Sequence, residues 1–195
     1  MDQALFVLAA LTVLAAPGPT NTLLAASGAS VGIHGSLRLV PAGIGGYLIS
    51  IAALEVLIGP VVALHPLALP ALKVSASLWL LFCAAKLCRE RGSGLSRAET
   101  LISVRQVFVT TLVNPKTLIF AFAIFPQAPL VQLLPWFIEF CFLVLFAAFG
   151  WIGLGALIAR SAGPLATPLH VRRATALGLA VFATIFASSA IAAVR

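Results

Sequence analysis

Lys116 is the residue whose type and setting most invite chemistry. It stands in Val113-Asn114-Pro115-Lys116-Thr117, inside an otherwise apolar run over about 105–126. Pro115 has no amide hydrogen for the carbonyl of Thr111, so a helix must break there. The same conflict arises in the apolar run over about 4–27, at Ala15-Ala16-Pro17-Gly18-Pro19-Thr20-Asn21. There Pro17 and Pro19 leave the carbonyls of Val13 and Ala15 without helical partners. Asn114 follows Pro17 by 97 positions in a chain of 195, so the breaks occupy matching places in two halves. Within a bilayer such breaks survive only where protein or a cavity satisfies the freed backbone. Matched interruptions of this kind mark the binding site in transporters built from repeats.

The chemistry expected at the breaks is recognition of a small charged solute. Pro19 suits the first position of a restarting helix with Gly18 as its permissive cap, and Asn114 with Pro115 does the same for the second. The amide groups of Thr20, Asn21 and Thr22, and of Lys116 and Thr117, then begin helices without intrahelical acceptors. Helix N-termini carry partial positive charge and Lys116 adds a full one, a combination that suits a carboxylate. Pro17, Gly18, Pro19, Thr20 and Asn21, with Asn114, Pro115, Lys116 and Thr117, are therefore the candidate substrate-binding residues. A cationic group on the same solute would meet the freed carbonyls or Glu55. Glu55 is the one acidic residue well inside an apolar run, where a carboxylate is costly unless paired, protonated or wet. It is the proton-coupling candidate, against the plainer reading that it snorkels to the outer interface. For Lys116 the plainer reading is pairing with Glu55 or with freed carbonyls as structural glue.

The elements that would position these residues are membrane helices. Hydrophobic residues make up 62% of the chain and charged ones 9%, which leaves too few polar residues to cover a water-facing surface. Six runs, about 4–27, 37–64, 67–88, 105–126, 134–159 and 174–194, reach the length of about 20 residues that a spanning helix needs. None shows the alternation of a membrane barrel. The expectation is an all-α membrane protein forming one domain over 1–195. A first repeat of three helices covers about 1–88 and a second about 105–195, joined by a polar cytoplasmic linker over about 89–104. Three spans per repeat invert the second relative to the first.

Assigning loops alternately places Arg38, Lys86, Arg89, Arg91, Arg97, Arg105, Arg160, Arg172 and Arg173 on one side, against Lys73 and Arg195 on the other. The positive-inside rule then puts both termini outside. A net charge of +7 reflects that bias, and nucleic acid is not an expected partner. Met1-Asp2-Gln3 lacks the basic start of a signal peptide, so the first run reads as an uncleaved helix. Ser27 to Gly35 reads as a short Gly/Ser loop. Gly43, Gly45 and Gly46 form a small-residue face for close helix packing. Glu139 falls near an outer interface, Trp79, Trp136 and Trp151 read as packing or interface residues, and His34, His65 and His170 map to loops. Cys83, Cys88 and Cys141 read as small buried hydrophobes. No metal set, cofactor motif or nucleophile–base set is visible, so neither an enzyme nor a metal or cofactor protein is expected.

Pro17-Gly18-Pro19 in the first run, Asn114-Pro115-Lys116 in the fourth and the Gly-rich Gly43-Ile44-Gly45-Gly46-Tyr47 in the second resemble the lysine exporter/homoserine–threonine exporter (LysE/RhtB) family. The resemblance implies a bacterial inner-membrane protein that exports an amino acid or derivative, of threonine or homoserine type, in exchange for protons. Glu55 enters by elimination rather than by a family motif. Small size alone suggests a homodimer. Two other classes stand beside this one: a carrier of thiol electrons, which needs cysteines able to meet, and an assembly subunit without transport of its own. No cysteine lies beside Pro17 or Pro115, which argues against the first, and the second leaves the matched breaks and Lys116 without a reason.

Overall fold

The computed structural model describes residues 2–65, 101–126 and 128–161, together with scattered positions between 67 and 85 and residues 184 and 188. Most of the expected third and sixth spans, the linker up to residue 100, Cys83, Cys88, Trp79, His170 and the charges at 73, 86–97, 172, 173 and 195 lie outside the described residues. Everything regular among the described residues is helical.

Helix α1 spans Gln3–Ala15. It ends where Ala16 turns extended, with ψ 136°, the conformation that a following proline imposes. Gly18 is extended as well, and α2 (Pro19–Ser36) restarts with its proline in the first turn. The break expected at Pro17–Pro19 is thus present.

The expected loop over Ser27–Gly35 takes a tighter form. Helical hydrogen bonding continues through it to Ser36, interrupted at Gly32, whose φ of 73° and ψ of −177° no helix contains. Ser27 and Ser36 share a hydroxyl–hydroxyl bond of 2.8 Å, although nine residues of continuous helix would separate them by about 13 Å. The chain therefore folds back at Gly32, the one described residue with positive φ, where a side chain would be strained. A short 3-10 turn, Leu37–Leu39, leads into α3 (Val40–Leu57), and α4 (Gly59–Leu64) follows.

The second half opens with α5 (Val104–Leu112), capped by the Ser103 hydroxyl, which accepts from the Gln106 amide. After the break come α6 (Lys116–Ile119) and a π turn, Phe120–Ile124. The α5 axis and the axis of Lys116–Ile124 differ by 49°. A 3-10 turn, Leu130–Leu133, then enters the long α7 (Leu134–Ser161).

Helix α7 is the spine. Phe140, Val144, Ala148, Ile152 and Ala156 recur every four residues and are buried, the spacing of one helix face. Its opposite face is just as apolar but outward: Ile138, Phe142, Phe146 and Phe149 are exposed. A helix that is hydrophobic all round belongs in lipid or in a core. By length and composition alone two stretches are long and apolar enough to cross a membrane, Pro19–Leu57, which reverses at Gly32, and Leu130–Arg160, with the bent pair Val104–Leu112 and Lys116–Ile124 as a third.

Small residues set the closest approaches. A Cβ on Gly155 would run into the carbonyl oxygen of Ala25, and one on Gly28 into that of Ile152. Helices α2 and α7 therefore cross with backbones in contact, the packing that small residues permit in lipid. Gly46 does the same for α3 against α5, where a Cβ would lie 2.8 Å from the Thr111 Cβ and 2.9 Å from the Phe108 carbonyl oxygen.

Candidate functional site

The two breaks meet. The Nδ2 of Asn114 donates to the Thr20 hydroxyl at 3.0 Å, and that hydroxyl also shares a 3.0 Å bond with the hydroxyl of Thr111. Thr111 is buried at the end of α5 and bonds back to the Val107 carbonyl at 2.8 Å. One threonine at the start of α2 thus ties both sides of the second break.

Lys116 crosses in the other direction. Its side chain is 1% exposed. Its ammonium donates to the Val13 carbonyl at 3.0 Å and to the Ala16 carbonyl. The Val13 carbonyl is the one that Pro17 deprives of a helical donor, so a cation takes the place of the missing amide. Asn21 adds to this: its Nδ2 donates to the carbonyls of Leu14 and Ala16 at 2.7 and 2.8 Å. The Trp151 indole donates to Leu14 as well, at 3.3 Å.

Gly18 makes room for this crossing. Its φ of −174° is extended backbone that any residue adopts, so its role is not the permissive conformation expected of it. A Cβ there would lie 2.9 Å from the Lys116 Cε and 3.1 Å from Nζ. The glycine is needed for space.

The second break is closed differently. The Thr111 carbonyl, expected to be stranded by Pro115, accepts the Asn114 amide at 3.1 Å. Asn114 then caps the restarting helix: its Oδ1 accepts from the Lys116 amide at 3.0 Å, and its carbonyl accepts from the Thr117 amide and hydroxyl. The Lys116 and Thr117 amides are therefore taken, and are not the open donors expected from their position. The first turn of α2 is less closed. The Thr22 amide already bonds to Gly18, while Thr20 and Asn21 precede the first intrahelical donor.

Polar groups at the breaks lie between two apolar clusters. One is aromatic, with Phe6, Phe120, Phe125, Phe140 and Tyr47 packed edge to face, as in the Phe120–Phe140 pair at 4.7 Å between ring centres. The other is aliphatic, with Leu24, Leu39, Val40, Val107 and Ile152. Beside Thr20 and Asn21 a cavity of about 10 Å³ is lined by Leu14, Gly43 and Tyr47 among others, room for about one water.

Glu55 is elsewhere. It sits in the last turn of α3, half-buried, with its carboxylate beside Gly59. Tyr47 is at the level of the breaks, and eight residues of helix place Glu55 about 12 Å further along α3. Lys116 pairs with carbonyls, the second of the plainer partners considered for it. Glu139 accepts from Gln3 at 3.4 Å, joining the start of α1 to α7.

Thr111, Trp151 and Tyr47 join this site without having been singled out as candidates. Thr111 was visible as the residue four before Pro115, but only for its carbonyl. Nothing in the sequence distinguishes Trp151 from an interface tryptophan. No family model, no curated protein and no solved structure matches the chain.

Proposed function

We propose that the chain is a secondary transporter of the LysE/RhtB type. It exports a small amino acid or derivative, threonine- or homoserine-like, across the bacterial inner membrane by proton antiport. The observation that carries the reading is the joining of two helix breaks, 97 positions apart, around one buried ammonium. A buried lysine at the meeting point of discontinuous membrane helices is expensive, and sites of that kind are where transporters bind substrate.

In this reading the six spans form two inverted three-helix repeats with both termini outside, and rocking of one against the other alternates access. The cargo's ammonium takes carbonyls of the first break, which Lys116 and Asn21 hold in the closed state. Glu55, a level away along α3, serves the proton path rather than the cargo. A homodimer in the bilayer completes the assembly.

One observation favours the assembly-subunit reading. Lys116, Asn21, Asn114 and Thr20 satisfy one another and the carbonyls of Val13, Leu14 and Ala16, and the space beside them is water-sized. Amino-acid efflux from preloaded cells separates the two. Wild type and Lys116→Ala are compared at matched membrane insertion, with and without a proton uncoupler. Loss of one amino acid's efflux under both treatments supports the exporter; efflux untouched by either rules it out in favour of the assembly subunit.

A further inference from the structure

Tyr47 brings an unused hydroxyl to the start of α2. The residue is 2% exposed, and its ring is held edge-on by Phe120 at 5.6 Å and Phe140 at 5.9 Å between centres. Its hydroxyl lies beside the Thr20 side chain yet completes no hydrogen bond with any described residue. Buried hydroxyls are normally paired, so an orphan calls for a partner that the described residues do not supply. Tyr47 lines the small cavity together with Thr20, Asn21 and Gly43. Gly43, one turn before it on α3, leaves this wall open: a Cβ there would come no closer than 4.0 Å to a neighbour, the Val107 Cγ1.

Donors for an anion are otherwise scarce here. The Lys116 and Thr117 amides are held by Asn114, and the Lys116 ammonium by Val13 and Ala16. What is left is the positive end of α2, an eighteen-residue helix whose Thr20 and Asn21 amides lack intrahelical acceptors, and the Tyr47 hydroxyl facing it. We propose that Tyr47 and the first turn of α2 form the subsite that reads the cargo's carboxylate, with Tyr47 as a specificity-determining residue. This rests on the exporter reading and deepens it. The space is water-sized while the breaks are joined, so the carboxylate enters as Asn114 parts from Thr20.

The test uses purified protein in liposomes loaded with the common amino acids, each followed by mass spectrometry. For an amino acid that the wild type carries, the unlabelled acid and its α-amide, which has no carboxylate, compete against the labelled acid. Wild type prefers the acid; Tyr47→Phe lowers that preference roughly ten- to a hundredfold, the range of one hydrogen bond to a charged group. Phenylalanine keeps the ring contacts, and the ratio of two competitors on one protein is insensitive to a general loss of activity. Gly43→Ala, which narrows the same cavity without touching a donor, weakens acid and amide alike and keeps their ratio. An acid-to-amide preference unchanged in Tyr47→Phe overturns the subsite. A wild type that carries no amino acid overturns the exporter reading, and the subsite with it.

Discussion

Lys116 donates to the carbonyl of Val13 at 3.0 Å, across 103 residues of sequence. The bond puts a cation, the only one at the breaks among the described residues, where a backbone amide is missing. Proline disrupts the helix at one end of this bond, and the lysine that follows another proline repairs it at the other end. Each break thereby depends on the other for its geometry.

Replacing Lys116 by methionine keeps the stem and removes the donor. The Val13 carbonyl then loses its side-chain partner, while Ala16 keeps Asn21. A buried acceptor left unpaired costs about 1–3 kcal/mol. Thermal unfolding in detergent should shift down accordingly, and the export proposed above should be lost with the protein still inserted.

Gly18→Ala acts on the same bond from the other side. The added methyl meets the Lys116 Cε at 2.9 Å, a clash with the mobile end of a long side chain, so the ammonium swings off its carbonyls and the fold survives. The effect should nearly vanish in a Lys116→Met background. A double-mutant cycle on unfolding free energy should give a coupling of at least about 0.5 kcal/mol; strict additivity would mean that glycine serves something else.

Asn114 both caps α6 and braces Thr20. Asn114→Asp keeps the oxygen that receives the Lys116 amide and loses the Nδ2 that donates to Thr20. Asn114→Ala loses both. Stability should therefore fall in the order wild type, Asp, Ala, with the cap itself contributing about 1 kcal/mol.

Glycines on α7 should differ sharply. Gly155→Ala forces the α2–α7 crossing apart at Ala25 and should cost about 1–3 kcal/mol or more. Gly150→Ala and Gly153→Ala face open space inside the helix and should be neutral or stabilising by up to about 1 kcal/mol. Melting temperatures of the three variants in one detergent give the comparison directly.

What could be read beforehand was governed by backbone chemistry. A proline leaves a carbonyl without a donor whatever surrounds it, so the breaks at Pro17–Pro19 and Pro115, and the restart of helix at Pro19, were visible in residue types alone. Composition likewise announced apolar helices. Partners were less legible, because they depend on which helices cross. Gly18 looked conformational and proved steric, since its role is set by Lys116, nearly a hundred residues away. Glu55 stood out by its charge, yet its level along α3 separates it from the breaks. Tyr47 was only one member of a glycine-rich stretch until the packing left its hydroxyl alone. The Ser27–Gly35 segment reads as a Gly/Ser loop, whereas helix continues to Ser36 and one glycine, Gly32, makes the turn.

The crossing of α2 and α7 has a consequence for motion. Gly28 and Gly155 place two backbones in contact at successive turns, one from each half of the chain. Helices so joined can swivel about the contact, but they cannot part without opening a gap that their missing side chains are unable to fill. On the exporter reading proposed above, the crossing would then serve as a fulcrum, with the segments on either side of it as lever arms. Bulk added there would slow such a cycle more than it weakens cargo binding at the breaks.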